Sequence, residues 1–115
     1  MKFYQYKNCS TCRKAQKFLD SQGAVYELID IITQPPSEDE LNIMLGYQRG
    51  ELRKLFNTAG LQYRELGMKD RLGDMSMAEA IGLLATNGKL IKRPFLLAKS
   101  FGLVGYKQAD WESLV

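Results

Sequence analysis

The chain has 115 residues, of which 45% are hydrophobic and 25% are charged, and its formal net charge is +3 at pH 7. This composition predicts one soluble domain over residues 1–115, since no apolar run approaches the ~20 residues that a membrane helix needs. The absence of histidine excludes a histidine general base, a Ser/His/Asp triad and histidine metal ligands. The charge is too small to predict direct nucleic-acid binding. The opening residues, MKFYQYKN, contain no apolar stretch of a secretory signal, so we expect a cytoplasmic location.

The first third of the sequence predicts a βαβ unit. Alternating residues indicate a strand at 2–6, and a helix is expected at 10–21, ended by Gly23. The buried face of this helix is predicted to carry Cys12, Ala15 and Leu19. The branched run VYELIDII at 25–32 is typical of a buried strand, so the two strands are expected to be parallel.

The middle of the sequence predicts a set of helices. Ser37 with Glu40, and Ser76 with Glu79, each have the spacing of a capping box, which marks a helix N-terminus. Between them, the segment ELRKLFNTAG at 51–60 predicts another helix, with its apolar residues turned inward. The glycines expected to end the first two of these helices are Gly46 and Gly60.

The C-terminal part predicts a hairpin followed by a helix. Strands are expected at 95–98 and 103–104, joined by a turn, and a closing helix is expected from Gln108. The apolar edge of that helix is predicted to consist of Trp111, Leu114 and Val115. The sequence therefore predicts an α/β fold, in which helices flank a mixed sheet and a helical insertion separates strands two and three.

The chemistry of the chain is expected at its two cysteines, Cys9 and Cys12, in the motif CSTC. A zinc site requires four ligands, or three and a water, and the pair supplies only two, so no metal is predicted. Two small buried hydrophobic residues are the simplest alternative. A Cys-x-x-Cys pair within a βαβ pattern is instead typical of a thioredoxin-like redox site, and a reducing compartment argues against a permanent disulfide.

The position of Cys9 favours the redox interpretation. Cys9 follows the first strand and precedes the helix, where free amide groups and the positive end of the helix dipole stabilise a thiolate. Positive charge from Lys7, Arg13 and Lys14 is expected to add to this effect. Cys9 is therefore the predicted nucleophile, and Cys12, one turn further on, is the predicted resolving thiol that displaces whatever becomes bonded to Cys9.

Three stretches, YKNCSTCRKAQKFLD, KLFNTAGLQYREL and LIKRPFLL followed by LVGY, resemble the ArsC and Spx family. The resemblance spans residues 3–111 and implies a thioredoxin-like, glutaredoxin-like fold with a helical insertion. It also implies a cis peptide bond between Arg93 and Pro94, which places Arg93 beside the cysteine loop in a catalytic role. The residues then expected to bind substrate are Asn8, Ser10, Thr11, Arg93 and Pro94.

The resemblance implies two activities. The first is reduction of arsenate, or of another oxidised small molecule or disulfide, with no bound cofactor and with glutathione, glutaredoxin or thioredoxin as reductant. Two positions that carry arginine in arsenate reductases are Asn57 and Gly105 here, and a tetrahedral oxyanion requires several forked donors. Arsenate reduction would therefore need Arg53, Lys54 or Arg64 as a replacement.

The second activity is that of the Spx branch, which the Cys-x-x-Cys motif resembles because arsenate reductases have serine at the position of Cys12. Proteins of that branch are redox-switched regulators that bind the α subunit of RNA polymerase. They extend further at the C-terminus than Val115, and the insertion YQRGELRKLFNTAGLQYREL resembles the reductase-like branch more closely. Both interpretations remain open at the level of sequence.

Overall fold

The computed structural model describes residues 1–115, in which four strands form one mixed sheet. The strands are β1 (Lys2–Gln5), β2 (Glu27–Asp30), β3 (Phe95–Leu97) and β4 (Gly102–Val104). Their order in the sheet is β2-β1-β3-β4, with β1 parallel to β2 and antiparallel to β3, and with β3 antiparallel to β4. Phe3 of β1 lies opposite Leu28 on one side and Leu96 on the other. The predicted mixed sheet is confirmed.

Helices cover both faces of this sheet. They are α1 (Ser10–Ser21), α2 (Glu38–Tyr47), α3 (Leu61–Glu65), α4 (Met68–Arg71), α5 (Met77–Thr86) and α6 (Gln108–Leu114). On one face, α1 and α6 pack over Phe3 and Leu96. Trp111 of α6 is fully buried in this cluster. On the other face, α2 to α5 pack over Tyr4 and Phe95 in a larger apolar core. The helices α2 to α5 are the predicted insertion between the second and third strands.

The two helix starts marked by capping boxes were well predicted, because capping depends on residues close in sequence. Ser37 and Ser76 both form complete capping boxes, in which each serine accepts a hydrogen bond from the amide of Glu40 or Glu79 at 3.1 Å. The buried face of α1 carries Cys12, Ala15 and Leu19 as expected, and Gly23 follows α1 with a positive φ of 67°. These local predictions are confirmed.

The prediction of a helix at residues 51–60 is wrong. Residues Leu52–Leu55 form only a short 3₁₀ turn, after which Phe56 is extended and forms an antiparallel bridge with Ile91. Gly60 is the N-cap of α3 and does not end a helix. The long-range bridge replaces the helical hydrogen bonds that periodicity alone favoured, since the Asn57 amide donates to Leu90 O at 2.7 Å and the Lys92 amide to Leu55 O at 2.8 Å.

Three further expectations need correction. The predicted buried strand at 25–32 is shorter and lies at the sheet edge, so that Val25 is 87% exposed and Leu28 is 50% exposed. Gly46 lies within α2, which continues to Tyr47. Trp111 is buried on α6, but Leu114 is 48% exposed. None of the helices combines the length and apolar character needed to cross a bilayer.

Candidate active site

Cys9 is the N-cap residue of α1, at the point where the chain leaves β1. Its sulfur accepts a hydrogen bond from the Cys12 amide at 3.2 Å, and its own amide donates to Tyr6 O at 3.0 Å. The backbone of Cys9 is extended, as N-cap residues require, and the side chain satisfies an amide that has no partner within the helix. A thiolate at this position is favoured by the positive end of the helix dipole.

The surroundings of Cys9 lower the pKa of its thiol. Partial burial opposes ionisation, but hydrogen bonds from the Cys12 side chain, the Cys12 amide and Arg93, together with the positive charge of Arg93, outweigh this effect. The pKa of Cys9 therefore lies below its ordinary value. The cation that lowers this pKa is Arg93, rather than Lys7, Arg13 or Lys14, which lie near Cys9 in sequence. A lower pKa raises the fraction of reactive thiolate near neutral pH.

The surroundings of Cys12 shift the pKa of its thiol in the opposite direction. Its side chain is 1% exposed, and burial, with a hydrogen bond to Cys9 and the negative charge of Cys9, raises the pKa of its thiol to about 12. Both cysteines are in the free thiol form. At neutral pH the pair therefore consists of an accessible sulfur prone to ionise and a buried neutral thiol hydrogen-bonded to it.

Arg93 reaches Cys9 from the turn before β3. The peptide bond between Arg93 and Pro94 is cis, as the resemblance implied. The guanidinium carbon of Arg93 lies 5.1 Å from the centroid of the Tyr6 ring, a cation–π contact. The Tyr6 hydroxyl in turn accepts a hydrogen bond from Asn8 Nδ2 at 3.2 Å. Asn8 and Tyr6 thus support the arginine that acts on Cys9.

A cleft of about 380 Å³ opens beside Cys9. It is lined by Cys9, Thr11, Asn57, Lys92, Arg93, Val104, Gly105, Tyr106 and Lys107. Three of these residues are cations and none is acidic, so the cleft has a positive potential that favours anions. A negatively charged group bound here would lie next to the Cys9 sulfur. No group of three or more Cys, Asp or Glu residues is arranged to hold a metal ion.

The predicted site residues do not all face this cleft. Thr11 and Arg93 line it with Cys9, while Cys12 lies buried within hydrogen-bonding distance of Cys9. Ser10 instead borders a shallow groove along the outer surface of α1, together with Arg13 and Lys14. Two other predicted residues occupy supporting positions, because Asn8 contacts Tyr6 and the Pro94 carbonyl accepts a hydrogen bond from the Gly105 amide at 2.8 Å.

Sequence reasoning missed five residues near Cys9: Tyr6, Lys92, Val104, Tyr106 and Lys107. Tyr6 lies at the end of the first predicted strand, three residues before Cys9, and this proximity was an available signal. Lys92 adjoins Arg93 in the motif KRP and could have been included with it. Tyr106 and Lys107 follow the last strand, and only the tertiary structure brings them to the cleft.

The two positions at which arsenate reductases carry arginine both lie at the cleft. Asn57 and Gly105 line it, so that Arg93 is the single arginine among its lining residues. Arg53 and Lys54 line a neighbouring groove, and Arg64 lines neither. The forked donors available to a tetrahedral oxyanion beside Cys9 are therefore limited to one guanidinium.

Solved structures share this fold over nearly its whole length. An ArsC family related protein of Bacteroides fragilis is 41% identical with a TM-score of 0.92, and the match covers 99% of this chain and 96% of the other. A possible arsenate reductase of Streptococcus mutans is 42% identical with a TM-score of 0.88, and 96% of each chain is covered. These similarities confirm the thioredoxin-like fold class.

Relatives known from sequence include an uncharacterized protein and a member of the Spx branch. The uncharacterized protein YusI of Bacillus subtilis is 44% identical over 96% of this chain and 93% of its own length. The global transcriptional regulator Spx of Streptococcus mutans is 27% identical over 90% of this chain and 74% of its own length. The sequence model of the ArsC family matches residues 4–114. The protein belongs to the ArsC family.

Proposed function

We propose that this protein is a thiol-dependent oxidoreductase in which Cys9 is the nucleophile and Cys12 is the resolving thiol. The observation that carries the proposal is the position of the Cys9 sulfur, which caps α1, accepts a hydrogen bond from the Cys12 amide at 3.2 Å and lies with Arg93 in the wall of a cleft. These surroundings lower the pKa of the thiol. A nucleophilic cysteine of this kind needs an accessible thiolate in a positive environment. Cys9 is partly exposed and faces a cleft with three cations.

The proposed reaction with a disulfide proceeds in two exchanges. The Cys9 thiolate attacks one sulfur of the substrate, forms a mixed disulfide with it and releases the other half as a thiolate. Cys12 then loses its proton and attacks the Cys9 sulfur, which forms the Cys9–Cys12 disulfide and releases the second half. Two electrons pass from the two cysteines to the substrate. A low-molecular-weight thiol such as glutathione, or glutaredoxin or thioredoxin, then reduces the pair.

The order of attack follows from the two pKa values. Cys12, whose pKa is raised to about 12, remains a thiol while Cys9 is an anion. Once Cys9 is bonded to the substrate, its negative charge and its role as hydrogen-bond acceptor disappear, and both had raised the pKa of Cys12. The second thiol therefore becomes easier to ionise after the first exchange.

A small disulfide is favoured over arsenate as the substrate. Reduction of arsenate would require a Cys9–arsenic bond, followed by attack of a second thiol on Cys9 that leaves two electrons on arsenic. Binding of a doubly charged oxyanion needs several forked donors, and Arg93 is the single guanidinium at the cleft. Thr11 and Arg93 border the proposed substrate position, with Asn8 and Pro94 in supporting positions, whereas Ser10 lies on the outer surface of α1. The reaction fits a reducing compartment, so the proposal includes a cytoplasmic location.

A coupled assay tests this function. The reduced protein is supplied with glutathione, glutaredoxin and an NADPH-dependent glutathione reductase, and NADPH oxidation above the rate without the protein is followed with a small disulfide or with arsenate. Wild type is expected to oxidise NADPH with the disulfide, Cys9→Ser to be inactive, and Cys12→Ser to accumulate a mixed disulfide visible by mass spectrometry. Equal rates for wild type and Cys9→Ser would rule out the proposed nucleophile.

A redox-switched regulator is the second candidate, and the Cys-x-x-Cys pair together with the Spx relatives favours it. In this case the Cys9–Cys12 disulfide would alter a surface that binds the α subunit of RNA polymerase, without turnover. A pull-down with the C-terminal domain of that subunit, under oxidising and reducing conditions, separates the two functions. Binding that depends on the disulfide supports the regulator, and no binding in either state excludes it.

A further inference from the structure

The Cys9 cleft continues into a second groove of about 410 Å³. Its charged lining consists of four cations, Arg53, Lys54, Lys92 and Lys107, and two acids, Asp110 and Glu51, of which Glu51 is paired with Lys54. Lys92, Val104 and Lys107 border both spaces, so they form the junction between them. A ligand larger than an oxyanion, with one sulfur at Cys9, can therefore extend across Lys92 into the groove.

The backbone places Lys92 firmly at this junction. Its amide donates to Leu55 O at 2.8 Å, next to the bridge between Ile91 and Phe56. The side chain passes over Gly105, where an added Cβ would lie 3.0 Å from Lys92 Cε. Gly105 thus leaves the space that the lysine stem occupies. Arg93, the next residue in sequence, lies on the Cys9 side of the same cleft.

The charge of Lys92 has no partner in the protein. The two ion pairs of the structure are Lys2–Glu40 and Lys54–Glu51, and neither includes a cation of the Cys9 cleft. Arg93 stabilises the Cys9 thiolate, whereas Lys92 contributes nothing to the pKa of that thiol. An unpaired ammonium at the wall of a concave, positive cleft is available to an anionic group of a ligand.

We propose that Lys92 is a specificity-determining residue that binds a carboxylate of the disulfide substrate. This carboxylate lies on the part of the substrate that extends past the sulfur attacked by Cys9. The inference rests on the proposed function and names the class of substrate, a disulfide with anionic substituents. Lys92 takes no part in bond exchange. The lysine binds the carboxylate with the same strength before and during the attack on sulfur. Removal of the lysine therefore raises KM and leaves kcat nearly unchanged.

Three small disulfides of similar size and different charge test this role: dithiodipropionate, a dianion, hydroxyethyl disulfide, which is neutral, and cystamine, a dication. Their reaction with reduced wild type, Lys92→Gln and Lys99→Gln is followed by stopped flow at neutral pH. Lys99→Gln removes the same charge from an exposed residue that lines neither the Cys9 cleft nor the second groove, so it controls for net charge.

Wild type is expected to react fastest with the dianion. With Lys92→Gln, the rate with the dianion is expected to be about fivefold lower because KM rises, which is the effect of losing one exposed ion pair. The rate of this variant with the neutral disulfide is expected to equal that of wild type. The preference is also expected to weaken with added salt. An equal effect of Lys92→Gln on all three disulfides, or the same loss in Lys99→Gln, overturns the inference and leaves the proposed function intact. Failure of Cys9 to react with any disulfide overturns both.

Discussion

The guanidinium of Arg93 lies over the ring of Tyr6, with 5.1 Å between its central carbon and the ring centroid. Tyr6 is the residue after β1 and Arg93 precedes β3, so neighbouring antiparallel strands bring the two together. Because Arg93 also lowers the pKa of Cys9, the aromatic ring restricts the orientation of the group that stabilises the thiolate. The reactivity of Cys9 therefore depends on a side chain outside the Cys-x-x-Cys motif.

Tyr6→Leu is expected to raise the pKa of Cys9. The substitution keeps an apolar side chain but removes the cation–π contact, so Arg93 spends less time beside the sulfur. The pH dependence of iodoacetamide alkylation measures the change, and the rate at neutral pH should fall several-fold. Tyr47→Leu is a matched control, since Tyr47 hydrogen-bonds to Lys99 O and does not line the Cys9 cleft. A Tyr6→Leu profile that coincides with wild type would contradict the orienting role.

Removal of Arg93 is expected to raise the pKa of Cys9 further. Arg93→Ala deletes both the hydrogen bond and the positive charge that lower this pKa, whereas Arg93→Lys keeps only the charge. In wild type the thiolate persists to lower pH, so the alkylation rate falls only when the pH drops below the lowered pKa. We expect the profiles to shift toward higher pH in the order wild type, Arg93→Lys, Arg93→Ala. An unchanged profile for Arg93→Ala would argue against an activated Cys9.

Cys12 is expected to make the protein less stable in alkaline solution. Its pKa rises from an ordinary 9.0 to about 12 on folding, so the unfolded state loses this proton first as the pH increases. The contribution of the protonated thiol is complete below about pH 9 and is lost between pH 9 and 12. Urea denaturation of wild type and Cys12→Ala across this range measures it, and the wild-type free energy of unfolding should fall more steeply. Parallel curves would show that Cys12 ionises equally in both states.

Gly105→Ala is expected to lower the free energy of unfolding by about 1 to 2 kcal/mol, because the residue has a left-handed φ of 71°. The new Cβ would also crowd Lys92 Cε at 3.0 Å. Gly46→Ala provides the control, since Gly46 lies in α2 with open space around it, and this change is expected to stabilise the protein by about 0.5 to 1 kcal/mol. Equal effects of the two substitutions in urea denaturation would contradict the assigned strain at Gly105.

Features that depend on residues close together in the chain could be predicted from the sequence alone. The Ser37 and Ser76 capping boxes, the buried face of α1 and the position of Cys9 at its N-terminus all follow from short spacings. Arg93 was identified through the resemblance to a family, and the structure places it at Cys9. Local hydrogen bonds and side-chain periodicity are sufficient for predictions of this kind.

The other features depend on the folded chain, because contacts between distant residues override local preference. The segment 51–60 is not a helix, since Phe56 bridges Ile91 and the backbone hydrogen bonds are made there instead. The same bridge carries Asn57 and Lys92 to the Cys9 cleft, and the turn after β4 brings Gly105 beside Lys92. Periodicity cannot detect such pairings, so the sequence located the reactive sulfur while the fold assembled the charged cleft around it.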